Sequence, residues 1–399
     1  MSTDDRRTIL WVDHVTRILG GAEVNLVELL AAPGARSRWA STVACAPDSA
    51  LHAALQTSHI DCVPYSTPGA LGTLRVVGTR LPLLGAFRAW RALAHSRRAL
   101  AELTSRLRPD VVVSCTNKDH FAAWPACAHS GARSVWWVND ILSPDFFPWA
   151  ARRAFQHQAR RGARRLVSVS QHARQALLSE GLDPSRVVAI LNGIPVERYE
   201  RRPRGVLRSR FAMAEDEPLV GIVGRFTPWK GQAFFLELAR AWCAREPKGR
   251  FALIGHAFNE DQPYEAQLRR FVDQHRLRER VHFVPFQRAI TDALSDLDLL
   301  VHASLKPEPF GRVLIEAMAV GVPVIAARAG GVPEIVAHEL NGMLATPGDL
   351  PAYSAALGRL IQDSEFRHRM AEAGRRTVVE RFSLERVVDD FESLFASLP

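Results

Sequence analysis

Short apolar runs alternate with helix-length amphipathic segments along this chain. Residues 8–12 predict a strand, followed by a glycine loop and a helix over 22–30. Further strands are expected at 40–45, 111–114, 135–138, 166–169 and 187–191. The pattern restarts at 219–223 and continues at 251–254, 281–284, 299–302 and 322–326. Between these runs, apolar residues recur at spacings of three and four, as in Phe234, Phe235, Leu238 and Trp242, which predicts helices. This is the βαβ rhythm of an α/β protein, with parallel sheets covered on both faces. A basic, turn-rich stretch at 199–209 separates the two series and reads as a linker. Two Rossmann-like domains are therefore expected, 1–198 and 199–383, facing across a cleft where the strands end. The amphipathic segment 384–399 is expected to pack back on the N-terminal domain.

Composition narrows the class. The 399 residues are 47% hydrophobic and 23% charged, which suits a soluble enzyme of about two domains. No apolar run follows a basic start and none is long enough to span a bilayer, so a cytoplasmic protein is expected. The five cysteines are scattered and lack C-x-x-C spacing, which disfavours a disulfide framework or a zinc site. A net charge of +9 fits anionic substrates, nucleic acid or an anionic membrane surface. Only four of the 51 basic residues are lysine, and Lys230 and Lys306 both fall in the motifs below. Where arginine is the default cation, a lysine marks a place suited to a compact point charge.

The densest chemistry lies in K-P-E-P-F-G-R-V-L-I-E-A-M-A, from Lys306 to Ala319. It sets Glu308 just before a predicted helix and Glu316 inside that helix's apolar run. A carboxylate in such a run needs partners. The helix start offers free N–H groups and a positive dipole end, which suit a phosphate. Upstream, G-I-V-G-R-F-T-P-W-K-G-Q places Gly224, Arg225 and Lys230 on a strand-to-helix loop. Two cations there suit a diphosphate whose charge grows as a sugar–phosphate bond breaks. Gly20 and Gly21, after the first strand, allow close approach to a ligand, and Gly330 and Gly331 again precede a helix. Asp296 and Asp298 form a D-x-D, the pattern of metal-dependent transferases of another fold, but it runs directly into a strand.

Together these segments resemble the retaining glycosyltransferases of family four, which have the GT-B fold. The resemblance rests on E-x7-E around P-F-G, on the Arg225–Lys230 loop, and on N-G-I-P at 192–195. It implies transfer of a sugar from a nucleotide diphosphate co-substrate, a UDP- or GDP-sugar, with retained configuration and neither metal nor cofactor. Carried to matching positions, Arg225 and Lys230 would hold the diphosphate, Glu308 the sugar hydroxyls and Glu316 the ribose. Gly224, the main chain at Phe310 and Gly311, and the following Arg312 and Val313 would complete the donor site. Phe286 would lie near the base, and Gly20 and Gly21 would close over the phosphates. One departure concerns the position after strand 135–138, where many members carry a histidine. Asn139 stands there, followed by Asp140, and asparagine exchanges no proton at neutral pH. A front-face mechanism, in which the leaving phosphate takes the acceptor proton, tolerates this change.

Lys118 and His120, in T-N-K-D-H, are acceptor-side candidates. The acceptor expected is a saccharide, a lipid-linked saccharide or a small molecule. Arginines punctuate apolar residues from 71 to 93 and again from 152 to 165, which leaves open peripheral contact with an anionic inner-membrane surface. A solvated basic face explains the same runs. The rivals are a relative that hydrolyses or epimerises a nucleotide sugar and a non-catalytic basic binder. A nucleic-acid-binding protein is disfavoured because no aromatic stacking platform or recognised motif accompanies the arginines.

Overall fold

The computed structural model describes residues 6–14, 20–65, 83–258, 261–287 and 289–398. Among the described residues, thirteen strands fall into two sheets, and all described strand pairings are parallel. The first sheet holds β1 (Arg7–Asp13), β2 (Trp39–Cys45), β3 (Cys62–Pro64), β4 (Val111–Ser114), β5 (Arg133–Val138), β6 (Arg165–Ser168) and β7 (Val187–Ala189). Its order is β3-β2-β1-β4-β5-β6-β7. The second holds β8 (Leu219–Val223), β9 (Arg250–Ile254), β10 (Val281–Val284), β11 (Leu299–His302), β12 (Val324–Ala327) and β13 (Met343–Ala345), in the order β10-β9-β8-β11-β12-β13. The eleven expected strands appear within two residues of their predicted ends. The two unexpected ones, β3 and β13, are three-residue edge strands, too short for a hydrophobic run to announce them.

Both orders reverse direction beside their first strand: at β1/β4 in one sheet and at β8/β11 in the other. Connections on either side of such a point leave in opposite directions, so a crevice opens beyond the carboxyl ends of its two strands. Topology alone thus nominates the loops after β1 and β4, and those after β8 and β11.

The chain divides into two compact units, Met1–Asn192 with Leu384–Pro399, and Gly193–Ser383. In the first unit the final helix, Leu384–Ala396, buries Leu384, Val387, Val388, Phe391, Leu394 and Phe395. Phe391 and Phe395 meet Trp11 edge-on at 5.9 and 6.3 Å between ring centroids. Phe391 also meets Trp137 at 5.3 Å. At the rim Arg38 pairs with Asp389 at 2.7 Å. The end of the sequence therefore completes the core around β1.

The stretch 199–209 is not a free linker; it is built into the second unit. Tyr199 is buried, and the Gly205 and Leu207 N–H groups donate to the Asp296 carboxylate. Arg204 pairs with Asp298 at 2.9 Å, and the buried Arg208 pairs with the other oxygen of the same carboxylate. Asp298 also accepts from the Leu219 N–H at 2.8 Å. The D-x-D carboxylates are thus engaged in fastening this segment to β8. Its basic, turn-rich composition looked like solvent-exposed chain because its partners lie about ninety residues downstream.

The basic segment after residue 152 lies on the helix Trp149–Gly162 and continues into β6. Arg152 pairs with Glu180, while Arg153, Arg160, Arg161 and Arg164 are exposed. Most of the other basic segment, 71–93, lies outside the described residues. Among the described residues, no helix is long and apolar enough to cross a membrane.

Candidate active site

The site builds outward from β8. After Val223 the chain turns through Gly224 and sends the exposed Arg225 into the loop. The turn Pro228–Lys230 follows, and then the helix Gln232–Cys243. Two hydrogen bonds pin this loop: Leu305 N–H donates to the Trp229 carbonyl at 2.7 Å, and Gln232 Nε2 donates to the Arg225 carbonyl at 2.9 Å. Gly231 has φ +77°, and a Cβ there would sit 2.0 Å from the Ala303 carbonyl oxygen. Glycine is required because the loop lies directly on the backbone that leaves β11.

That contact brings Lys230 to Glu308. The ammonium pairs with Oε1, while His302 Nε2 meets Oε2 and Ser304 Oγ donates to Oε2 at 2.9 Å. Burial would raise the Glu308 carboxyl, but Lys230 and His302 outweigh it and hold the group well below the ordinary carboxylate range. The second glycine pair supports the same residue from behind. A Cβ on Gly330, which has φ +64°, would meet the Glu308 carbonyl oxygen at 2.2 Å, and Gly331 N–H donates to that oxygen at 2.8 Å. Gly330 and Gly331 therefore let the backbone pack against Glu308.

Glu316 lies on the helix Arg312–Val320 and is buried. Its Oε1 accepts from Arg312 Nε at 2.7 Å and from the Tyr199 hydroxyl at 3.1 Å. Gly311 caps the start of this helix, and Val313 is half-buried in its first turn. Phe310 is only 3% exposed and packs edge-on against Phe382 at 5.8 Å, so its side chain belongs to the core. Phe286, after β10, is 51% exposed and stands edge-on to His256 at 6.0 Å. The second unit thus carries Arg225 and Lys230 after β8, Phe286 after β10, and Glu308 and Glu316 after β11, with Lys230 and Glu308 in contact.

In the first unit the Glu23 carboxylate lies within electrostatic reach of His14 and Asp140. Gly20 N–H donates to Glu23 Oε2 at 2.7 Å, so the start of the helix Gly21–Ala31 already carries a carboxylate. Burial raises the Glu23 carboxyl against the pull of its backbone hydrogen bonds. Asn139 donates its amide to the Cys115 and Trp137 carbonyls, at 3.2 and 3.3 Å. Asp140 is exposed and accepts from Asn117 Nδ2 at 2.7 Å. Lys118 is half-buried, and desolvation lowers its ammonium. His120 is a core residue: it is fully buried, stacked on Trp136 at 4.8 Å and bonded to Ser114 Oγ at 2.7 Å. Desolvation pushes it down to about 3, against the pull of Asp119. The helix Asn117–Ser130 turns it inward, against Trp136 and Phe155.

Two profiles match this chain in tandem. Glycosyltransferase Family 4 covers residues 19–198, and Glycosyl transferases group 1 covers residues 204–377. The chain belongs to the family-four glycosyltransferases. The Anabaena protein Alr3699/HepE, solved in complex with UDP and glucose, is similar over 98% of this chain and 99% of its own, with 27% identity and a TM-score of 0.83. An N-acetyl-alpha-D-glucosaminyl L-malate synthase of Bacillus anthracis is 29% identical over 52% of this chain and 53% of its own length. An alpha-D-kanosaminyltransferase of Streptomyces kanamyceticus is 25% identical over 63% of each. The chain spans from about half to under two thirds of these curated relatives.

In this family-four chain, four site neighbours escaped sequence reasoning. His302 and Ser304 flank the end of β11, Tyr199 sat in the supposed linker, and His14 follows β1. His14 Nδ1 lies 3.0 Å from the buried carboxylate of Asp119. For His302 the available signal was a polar residue closing an otherwise apolar strand, L-L-V-H.

Proposed function

We propose that this family-four protein moves a hexose-type sugar from a UDP- or GDP-sugar to a hydroxyl of a saccharide, lipid-linked or small-molecule acceptor, with retained configuration and without a metal. The observation that carries the reading is the Glu308 carboxylate, held by Lys230 and His302 at the β8/β11 reversal, with Arg225 exposed on the same loop as Lys230. In this reading the lysine of that pair serves a diphosphate and its carboxylate serves sugar hydroxyls. The UDP and glucose bound by the HepE relative favour a UDP-linked donor.

In this reading Arg225 and Lys230 neutralise the diphosphate as the bond from C1 to its oxygen breaks. Glu308 accepts from the sugar hydroxyls and Glu316 from the ribose. Main-chain N–H groups at the start of the helix Arg312–Val320 meet a phosphate oxygen. The exposed Phe286 ring offers a face to the base. The acceptor hydroxyl forms the new bond to C1 on the face the diphosphate leaves, and the departing phosphate oxygen takes its proton. Asn139 fits such a step, because its amide orients and does not exchange a proton. The first unit would carry the acceptor, with Lys118 and Asp140 as its polar candidates. The exposed arginines of the helix Trp149–Gly162 would favour peripheral contact with an anionic membrane, read by sedimentation with anionic liposomes.

A thermal-shift screen against UDP-, GDP-, ADP- and dTDP-sugars tests the donor reading. Ligands that bind only the native form raise the melting temperature. A rise with UDP- or GDP-sugars, followed by transfer with retained configuration, is expected. No rise with any of them, together with salt-dependent nucleic-acid binding, contradicts it.

A further inference from the structure

Glu308 carries more partners than a hydroxyl-binding carboxylate needs. Lys230 holds Oε1, while His302 Nε2 and Ser304 Oγ share Oε2. His302 ends β11 and is 5% exposed, and its carbonyl accepts from the Tyr353 hydroxyl at 3.0 Å. The other ring nitrogen, Nδ1, is buried with no hydrogen-bond partner. A buried orphan nitrogen is destabilising, so an apolar side chain would serve packing better. What distinguishes histidine here is its Nε2–H, which donates to the carboxylate.

The donor-site reading adds a demand on this arrangement. Lys230 cannot serve the diphosphate and remain fully committed to Glu308. When the ammonium turns to phosphate, a buried carboxylate loses its nearest cation and would swing or take up a proton. We propose that His302 is a positioning residue: it anchors Glu308 through Oε2, so that Lys230 can be exchanged to the diphosphate while the carboxylate stays ionised and aimed at the sugar. Ser304 steadies the same oxygen from the neighbouring backbone. The inference rests on the donor-site reading and adds to it how the carboxylate survives loss of its lysine.

The reach of the side chain provides the test. Glutamine places its amide nitrogen where Nε2 stands, whereas asparagine reaches only the position of Nδ1. Steady-state kinetics with UDP-glucose as the probe, and UDP binding by titration, are compared for wild type, His302→Gln, His302→Asn and Ser304→Ala. The Asn variant is expected to lose about tenfold or more in kcat/KM, mainly in kcat, with unchanged UDP affinity. The Gln variant is expected to stay within about threefold of wild type, because the contact is kept. Ser304→Ala removes one of two anchors, so it should lower kcat and leave UDP affinity alone, which keeps the idea testable if the Asn variant does not fold. Equal activity of the Asn and Gln variants, losses that merely follow melting temperature, or unchanged turnover in Ser304→Ala overturns the role of His302. A wild-type protein that neither binds nor turns over UDP- or GDP-sugars overturns the donor-site reading itself, and this inference with it.

Discussion

Lys230 and Glu308 are partners in this structure, and donor binding on the proposed reading must separate them. Removing either should therefore act differently on stability and on chemistry. Lys230→Ala deletes a cation meant for the transition state, and a loss of about 10²–10³ in kcat is expected. It also strands part of a buried carboxylate, so a lower melting temperature should accompany the loss. Glu308→Gln removes the charge together with its demand for a counter-ion. Transfer should fall sharply while the melting temperature stays near wild type, which calorimetry on the same preparation would show. His120 sets a pH dependence unrelated to catalysis. Its folded-state value, about 3, lies below the ordinary 6.5, so the unfolded chain binds the proton more readily. The stabilisation is complete above about pH 6.5 and is lost as pH falls towards 3. Melting temperature measured across that window should fall less steeply in His120→Phe than in wild type.

At the scale of elements, the D-x-D and the glycines perform structural work that their sequence patterns left ambiguous. Asp296 accepts from the Gly205 and Leu207 N–H groups, and Asp298 binds Arg204, Arg208 and the Leu219 N–H. Asp296→Ala should destabilise the second unit by about 1–3 kcal/mol for each N–H left buried without a partner, read by urea denaturation. Gly231→Ala would drive a methyl into the Ala303 carbonyl, and the resulting shift of the Trp229–Lys230 loop should weaken UDP binding as well as lower stability. Donor affinity equal to wild type in a folded Gly231→Ala variant would show that the loop does not position Lys230. The strands after which these loops follow were legible as apolar runs because parallel strands are buried on both faces. Edge strands β3 and β13 were not, since three residues carry no period. The segment 199–209 misled because composition reports polarity and says nothing of partners distant in sequence. Glu308 and Glu316 stood out as polar positions around an apolar run, and His302 as the polar end of one; their partners Tyr199 and Ser304 did not, because folding alone brings them to the carboxylates.

Across the whole molecule, two parallel sheets each reverse their strand order, and the Lys230–Glu308 pair of the second unit lies on loops that follow strands β8 and β11, which flank its reversal. The first unit depends on the end of the chain. Phe391 and Phe395 fill the space against Trp11 and Trp137, so a chain shortened by residues 384–399 should lose the cooperative unfolding of that unit and expose tryptophan to quencher. A truncated protein with native tryptophan emission would contradict that dependence. On the proposed reading, function depends on how the second unit uses its charges. A crystal structure of the protein soaked with a UDP-sugar measures this most directly. The account predicts diphosphate oxygens within hydrogen-bond distance of Arg225 and Lys230, sugar hydroxyls on Glu308 and ribose hydroxyls on Glu316, with His302 still on the Glu308 carboxylate. A nucleotide bound elsewhere, or one seated there while Lys230 stays wholly on Glu308, would contradict it.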